Sequence, residues 1–187
     1  MRSQAMPLDP AQAARGAIAG AVAAGVWGLQ QPVDKIVFGV DYDDTELLGK
    51  LVTRGPAWPF VGAALHVANG AAFGAVYASL ASRVPLPSWA RGPVAGLAEH
   101  VATWPLTALS DRLHPARDDM PALFGSGRAL AQATWRHLLF GVVLGELERR
   151  LNAPTDPEVP AYAHVAVNTN GHGNLEQAIA PVSTPPA

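Results

Sequence analysis

The sequence predicts an all-α integral membrane protein, a four-helix bundle built from two parallel two-helix hairpin repeats. Hydrophobic residues make up 49% of the 187-residue chain and charged residues only 15%, which is a low charge content for a soluble protein. Four stretches rich in Ala, Gly, Val and Leu each have about the length that crosses the core of a bilayer. Two short motifs also occur twice, once in each half of the chain.

The repeated motifs define the two predicted hairpins. The motif Ala-Arg-Gly-x-x-Ala-Gly begins at Ala14 and again at Ala90, and the motif His-x-x-x-Gly-x-x-x-Gly begins at His66 and again at His137. Because each hairpin then starts from the same side of the membrane, the two copies are expected to be related by an axis along the membrane normal.

The predicted spans cover residues 13–31, 59–82, 91–110 and 127–147, within a membrane domain of residues 1–152. Pro32 predicts the end of the first span, since proline ends or kinks a helix. The link between the second and third spans, residues 83–90, is short, so these two helices are expected to be antiparallel neighbours.

Two segments outside the spans also have readable patterns. Asp43-Asp44-Thr45-Glu46 is a candidate capping box before an apolar face of Leu and Val, which predicts a short interfacial helix in the first loop. Residues 153–187 are rich in Pro, Asn, Thr and Gly without an apolar period, and we predict a disordered tail there.

Each predicted span contains one Gly-x-x-x-Gly pair. Such a pair lets two helix backbones approach closely, and a second copy of the chain could pack on the same faces as a homo-oligomer. Bias toward Gly in the sequence is the alternative interpretation. The eight residues are Gly16, Gly20, Gly70, Gly74, Gly92, Gly96, Gly141 and Gly145.

Polar residues inside the spans form a candidate functional cluster. Such residues are costly in a bilayer and usually face the bundle interior or a water path. Crude depths along the helices predict an ion pair between Glu99 and Arg136, with two histidines close by and His66 nearer the far face. The cluster consists of His66, Asn69, Glu99, His100, Arg136 and His137.

This cluster has two interpretations. It can hold the bundle in register, or it can relay protons or line a path for a small solute, since histidine titrates near neutral pH. A metal site has suitable residue types but no diagnostic spacing, so we predict neither a metal nor another cofactor.

Several functional classes are disfavoured by composition and motifs. The net charge of −2 and the scattered Lys and Arg residues argue against a nucleic-acid partner, and the lipid bilayer is the expected one. The chain has no cysteine and lacks the nucleophile-elbow, zinc-protease and phosphate-loop motifs, so we predict that it is not an enzyme.

A set of residues spread over about 15–160 matches the pattern of a known family. They are Gly16 and Gly20; His66, Phe73, Val76 and Tyr77; Gly92, Ala95, Gly96, His100, Pro105 and Leu106; His137, Leu138, Glu146, Arg149, Arg150 and Leu151; and residues 156–160. In these residues the chain resembles the YagU-like bacterial inner-membrane proteins. The first loop and the Gly-to-His spacing in the third span are shorter here than in the family pattern. The resemblance implies a bacterial inner-membrane location and supplies no catalytic residues.

The expected function is that of a structural or regulatory module of the inner membrane. The alternative is a small transporter, channel or proton-handling protein that uses the polar cluster. Both termini are expected in the cytoplasm, because arginines are densest at that end of the helices. A soluble Ala-rich bundle is a further alternative, since the first span is weakly apolar.

Overall fold

A computed structural model describes residues 9–153, and every regular element in that range is helical, which confirms the all-α fold class. The predicted disordered tail lies outside these residues, except for Ala153. Among the described helices one, α3, is long and apolar enough to cross a membrane, so the predicted four-span bundle stays a prediction beyond its helical fold class. The α-helices are α1 (Pro10–Phe38), α2 (Asp44–Val52), α3 (Trp58–Ala81), α4 (Ser88–Thr103), α5 (Thr107–Leu113) and α6 (Gly127–Leu151).

Helix α1 is longer than predicted. Asp9 caps its start by accepting a hydrogen bond from the Ala11 amide at 2.9 Å, and Gly39 ends it in the left-handed conformation at φ 63°. The predicted end before Pro32 is wrong. A proline removes only its own N–H from the helical ladder, and the buried face of the helix continues past it through Asp34.

The predicted third span is wrong in its second half. Helix α4 ends at Thr103, a single 3₁₀ turn covers Trp104–Leu106, and α5 follows. Pro105 lies in that turn, and it has no N–H to continue the α-helical hydrogen bonds. Helices α3 and α6, by contrast, begin within one residue of the predicted spans.

The predicted short helix in the first loop is present as α2. Asp43 caps it by accepting hydrogen bonds from the amides of Thr45 and Glu46 at 2.9 and 3.3 Å. The helix packs directly against α3: a Cβ added at Gly49 would overlap the carbonyl oxygen of Trp58. Its first turn is thereby held next to the interior of the bundle.

The long helices do not pack in the predicted order. Helices α1 and α6 pack against each other, α3 packs on α1, and α4 packs on α6. Helices α3 and α4 make few contacts although a short link joins them, so the prediction that they are neighbours is wrong. A short link limits only the distance between the joined ends, whereas the glycine faces determine which helices pack closely.

The first pair of close helices is α1 with α3. A Cβ added at Gly20 would overlap the carbonyl oxygen of Gly70, and one added at Gly16 would overlap that of Gly74. Because the lower-numbered glycine of α1 meets the higher-numbered one of α3, the two helices run antiparallel.

The pair α4 and α6 makes equivalent contacts. A Cβ added at Gly92 would overlap the carbonyl oxygen of Gly141 and lie 2.7 Å from Cα of Gly145. One added at Gly96 would overlap the carbonyl oxygen of His137. All eight glycines singled out in the sequence therefore lie at contacts between backbones.

We predict that Gly20→Ala lowers the free energy of unfolding by about 1–3 kcal/mol, because the new methyl group must push two backbones apart. The matched control is Gly25→Ala, on the same helix, where a Cβ would meet nothing within 4 Å. That variant should be neutral or more stable by up to about 1 kcal/mol. Unfolding in mixed micelles measures both, and equal effects would contradict the close crossing.

Candidate functional site

The most buried charged side chain of the described region is Arg136, which is 0% exposed. Its Nε and Nη2 atoms donate to both oxygens of Asp34, at 2.6 and 2.5 Å. Its Nη1 atom donates to Oδ2 of Asp44 at 2.7 Å. The predicted ion pair between Glu99 and Arg136 is therefore wrong. Depth along the helices was compatible with it, but Arg136 faces α1 and the start of α2.

Uncharged groups complete this buried network. Gln132 donates to Asp34 at 2.7 Å, and the Trp27 indole donates to Asp44 at 2.9 Å. The Tyr42 hydroxyl also donates to Asp44, and burial together with that carboxylate raises the pKa of Tyr42 well above its ordinary value. The hydroxyl thus stays protonated and remains a donor.

Asp34, Asp44 and Gln132 are not among the partners predicted for Arg136. A signal for two of them exists in the helical periodicity. The buried face of α1 recurs at three- and four-residue steps that lead through Trp27 and Gln31 to Asp34, and Gln132 lies four residues before Arg136. Because the first span is predicted to end before Pro32, Asp34 lies outside it and is not predicted as a partner.

Next to the network, Asp43 is held by Lys35 at 3.0 Å and by the start of α2. Burial raises the pKa of Asp43, but hydrogen bonds from Thr45 and Lys35 outweigh that effect and leave the pKa below its ordinary value. The carboxylate that caps α2 is therefore ionised at neutral pH.

A cavity of about 490 Å³ lies beside the arginine network and is lined by residues of all six α-helices. Five of the six polar residues predicted as a cluster line it, and Arg136 does not. Its other walls include five aromatic side chains, one of which is Tyr42. The lining residues that matter below are His66, Asn69, Glu99, His100, His137, Trp27, Phe73, Trp104 and Phe140.

Glu99 and His137 share one proton. His137 Nε2 lies 2.8 Å from Glu99 Oε2, and His137 Nδ1 lies 2.7 Å from the carbonyl oxygen of Ala133. A carbonyl oxygen can only accept, so Nδ1 carries a proton. The contact with Glu99 then holds one further proton, on Nε2 beside a carboxylate or on the carboxyl beside a neutral ring.

His100 lies next to this pair, with ring centroids 4.6 Å from those of His137. Its Nε2 atom is 3.0 Å from the hydroxyl of Thr134, which donates its own proton to the Leu130 carbonyl at 2.7 Å. The hydroxyl is therefore the acceptor, and His100 Nε2 carries a proton. His100 is 3% exposed and is positioned by α6 as well as by α4.

His66 approaches the same cavity from α3. The rings of His66 and His137 both lie edge-to-face on Trp27, with centroid distances of 5.2 and 4.7 Å. The expectation that His66 lies nearer the far face stays a prediction. His66 is 8% exposed, and its Nε2 atom has no hydrogen-bond partner among residues 9–153. Asn69, one turn further along α3, is exposed.

In the part of the chain that the structure describes, no group of three or more His, Asp or Glu side chains is placed to hold a metal ion. The three histidines line one cavity, but His100 and His137 bond to different partners and His66 Nε2 has none among residues 9–153. Comparison of the chain with family models, curated proteins and solved structures gives no match in any of the three.

We predict that Asp34→Leu and Arg136→Met are strongly coupled. Arg136→Met leaves Asp34 buried without its cation, and Asp34→Leu leaves Arg136 with Asp44 as its one remaining carboxylate. Each single change should cost about 3–5 kcal/mol of unfolding free energy. The double variant should lose less than the sum by at least about 2 kcal/mol.

The two single variants and the double variant form a double-mutant cycle, and its matched control is the cycle of Glu99→Gln with Arg136→Met. Because these residues do not pair, their effects should add to within about 0.5 kcal/mol when measured by unfolding in the same micelles. Strong coupling between Glu99 and Arg136, with none between Asp34 and Arg136, would contradict the buried network. It would support the ion pair between Glu99 and Arg136 that the sequence predicts.

Proposed function

We propose that the chain is an integral protein of the bacterial inner membrane, with α1, α3, α4 and α6 crossing the bilayer. The observation that carries the proposal is the distribution of polarity in the described bundle. Its interior contains Arg136, Asp34 and Gln132, all nearly inaccessible. Its outer surface, in contrast, is apolar.

Helix α1 illustrates the outer surface. Every exposed residue of this helix is apolar, and Leu29 and Ile36 are each 84% exposed. On α6, the exposed residues between Arg128 and Arg149 are likewise apolar, and include Trp135 and Val142. A helix on the surface of a water-soluble bundle has the opposite arrangement, with charged residues outward. Polar residues facing inward are typical of membrane bundles.

Two further features support the proposal. The repeated motifs make equivalent glycine contacts in the pairs α1 with α3 and α4 with α6, which supports two parallel hairpin repeats. The resemblance to the YagU-like proteins supports the inner-membrane location.

Both ends of the described region lie at the same end of the bundle, since Arg15 donates to Asn152 at 2.6 Å. We propose that this end is cytoplasmic, because arginines are densest there.

In this proposal the protein is a structural or regulatory membrane module without a catalytic step. A second candidate is a small transporter or proton-handling protein. The observation that favours the second is the cavity, where Glu99 and His137 share a proton beside His100. The cavity does not contain Arg136, which leaves this pair free of the buried network.

We predict that a cysteine at Val76, which is 60% exposed on α3, does not react with a water-soluble maleimide in intact membranes. A thiol among lipid chains is neither ionised nor accessible. The chain has no other cysteine, so the labelling has no background. The control is Arg54→Cys in the loop after α2, where the side chain is 61% exposed and should react.

Equal labelling of both positions would show a water-soluble bundle and contradict the proposal. The same reagents test orientation in spheroplasts: an impermeant maleimide should label Arg54→Cys and not Arg83→Cys. The reverse pattern would place the termini outside the cytoplasm.

The second candidate predicts proton flux in proteoliposomes between about pH 5 and 8, where histidine and carboxyl groups exchange protons. Glu99→Gln should abolish this flux, whereas Glu146→Gln, a carboxylate outside the cavity, should leave it unchanged. Flux no greater than in protein-free liposomes would rule out the second candidate. The structural or regulatory module would then remain as the proposed function.

A further inference from the structure

We propose that the cavity binds a small organic cation at Glu99, and that binding releases the proton that Glu99 shares with His137. This inference rests on the proposed role of the cavity as a solute site. The ligand class is then a small organic cation, and its binding exchanges one positive charge, the proton, for another.

The charge of the cavity wall selects a cation. Among residues 9–153, neither Lys nor Arg lines it, and the two carboxylates that do are Glu99 and Asp44. Asp44 already accepts hydrogen bonds from Trp27, Tyr42 and Arg136. Glu99 uses one oxygen for His137, and its side chain is 32% exposed. Within the described region, no donor reaches its second oxygen, which is therefore the strongest free acceptor in the cavity.

The remaining walls fit the apolar body of such a ligand. Trp27, Phe73, Trp104 and Phe140 line the cavity, and aromatic faces attract organic cations through the ring quadrupole. The volume of about 490 Å³ lies within the range of small-molecule sites, roughly 300–1,000 Å³.

A second polar anchor is provided by His66. His66 lines the cavity, and its Nε2 atom is buried without a partner among the described residues. Buried polar atoms normally have hydrogen-bond partners, so this atom indicates a ligand that also carries a hydroxyl or a similar group. A cation with one such group would use both Glu99 and His66.

Exchange follows from the hydrogen bonds of His137. A cation at the free oxygen of Glu99 offsets the negative charge of the carboxylate. The carboxylate then stabilises the proton on His137 Nε2 less, and the Nε2–H bond breaks. The proton leaves to solvent, and the neutral ring keeps its Nδ1–H bond to the Ala133 carbonyl. The charge of the site is thereby unchanged, because one cation enters as one proton leaves.

Other titratable groups line the same cavity. They are His66 from α3, His100 from α4, and Tyr42 and Asp44 from the segment at the start of α2. These groups do not supply the exchanged proton, since His100 Nε2 is held by Thr134 and Asp44 is held by Arg136.

The test uses choline binding to the full-length protein in detergent micelles. Choline carries a permanent charge and one hydroxyl, so any released proton comes from the protein. Calorimetry in phosphate and in HEPES, which differ in ionisation enthalpy, measures the protons released. We expect about one proton per choline, with an affinity that rises with pH. The uncharged isostere 3,3-dimethylbutan-1-ol should bind at least about tenfold more weakly.

Three variants sharpen the result. Glu99→Gln should lose choline binding while it still folds, because the amide can donate to neutral His137. His137→Gln should bind choline without proton release. Glu146→Gln, on the same helix as His137 but outside the cavity, should match the wild type.

Absence of choline binding, equal binding of the uncharged isostere, or binding without proton release by the wild type would each overturn the inference. None of these outcomes decides the proposed function, because labelling and flux test that without choline. Proton flux without choline binding would support the transporter candidate and refute the cation site. Choline binding with proton release but without flux would support the cation site and indicate that the protein is a sensor.

Discussion

The enclosure of Arg136 is the constraint on which the rest of the bundle depends. A guanidinium removed from water is tolerated only when carboxylates and hydrogen-bond acceptors surround it. Asp34 contacts Arg136 only because α1 continues past Pro32, and Asp44 contacts it because the first loop folds back toward α6. One side chain of α6 thus determines the length of α1 and the position of α2. The buried polar contacts specify how the helices are arranged, whereas the apolar outer surface only faces the surrounding medium.

The glycine contacts impose a second and independent constraint. They bring backbone against backbone in α1 with α3 and in α4 with α6, and neither pair needs the arginine network. The network then joins one pair to the other across α1 and α6. Close packing within the pairs and ionic contact between them explain why the cavity lies where it does. It occupies the space that the two pairs leave between α3 and α4.

Local patterns predicted much of this structure. The apolar stretches located α3 and α6, Asp43 marked the start of α2, and the Gly-x-x-x-Gly pairs marked the close contacts. The ionic partners were not predictable in the same way. Glu99 and Asp34 are both carboxylates within reach of Arg136 by depth, and only the rotation of each helix about its axis separates them. Proline was also an unreliable boundary: Pro32 lies inside a helix, whereas Pro105 lies in a break.

The sparse contact between α3 and α4 has a consequence for how the cavity exchanges its contents. In a bilayer, the seam between these helices would face acyl chains rather than water, with Asn69 exposed on α3. A molecule dissolved in the leaflet could then reach Glu99 sideways, without parting the glycine contacts or the arginine network. Partitioning into the lipid would concentrate an amphipathic molecule before it met the protein. The composition of the leaflet, as well as the aqueous concentration, would then determine how full the cavity is.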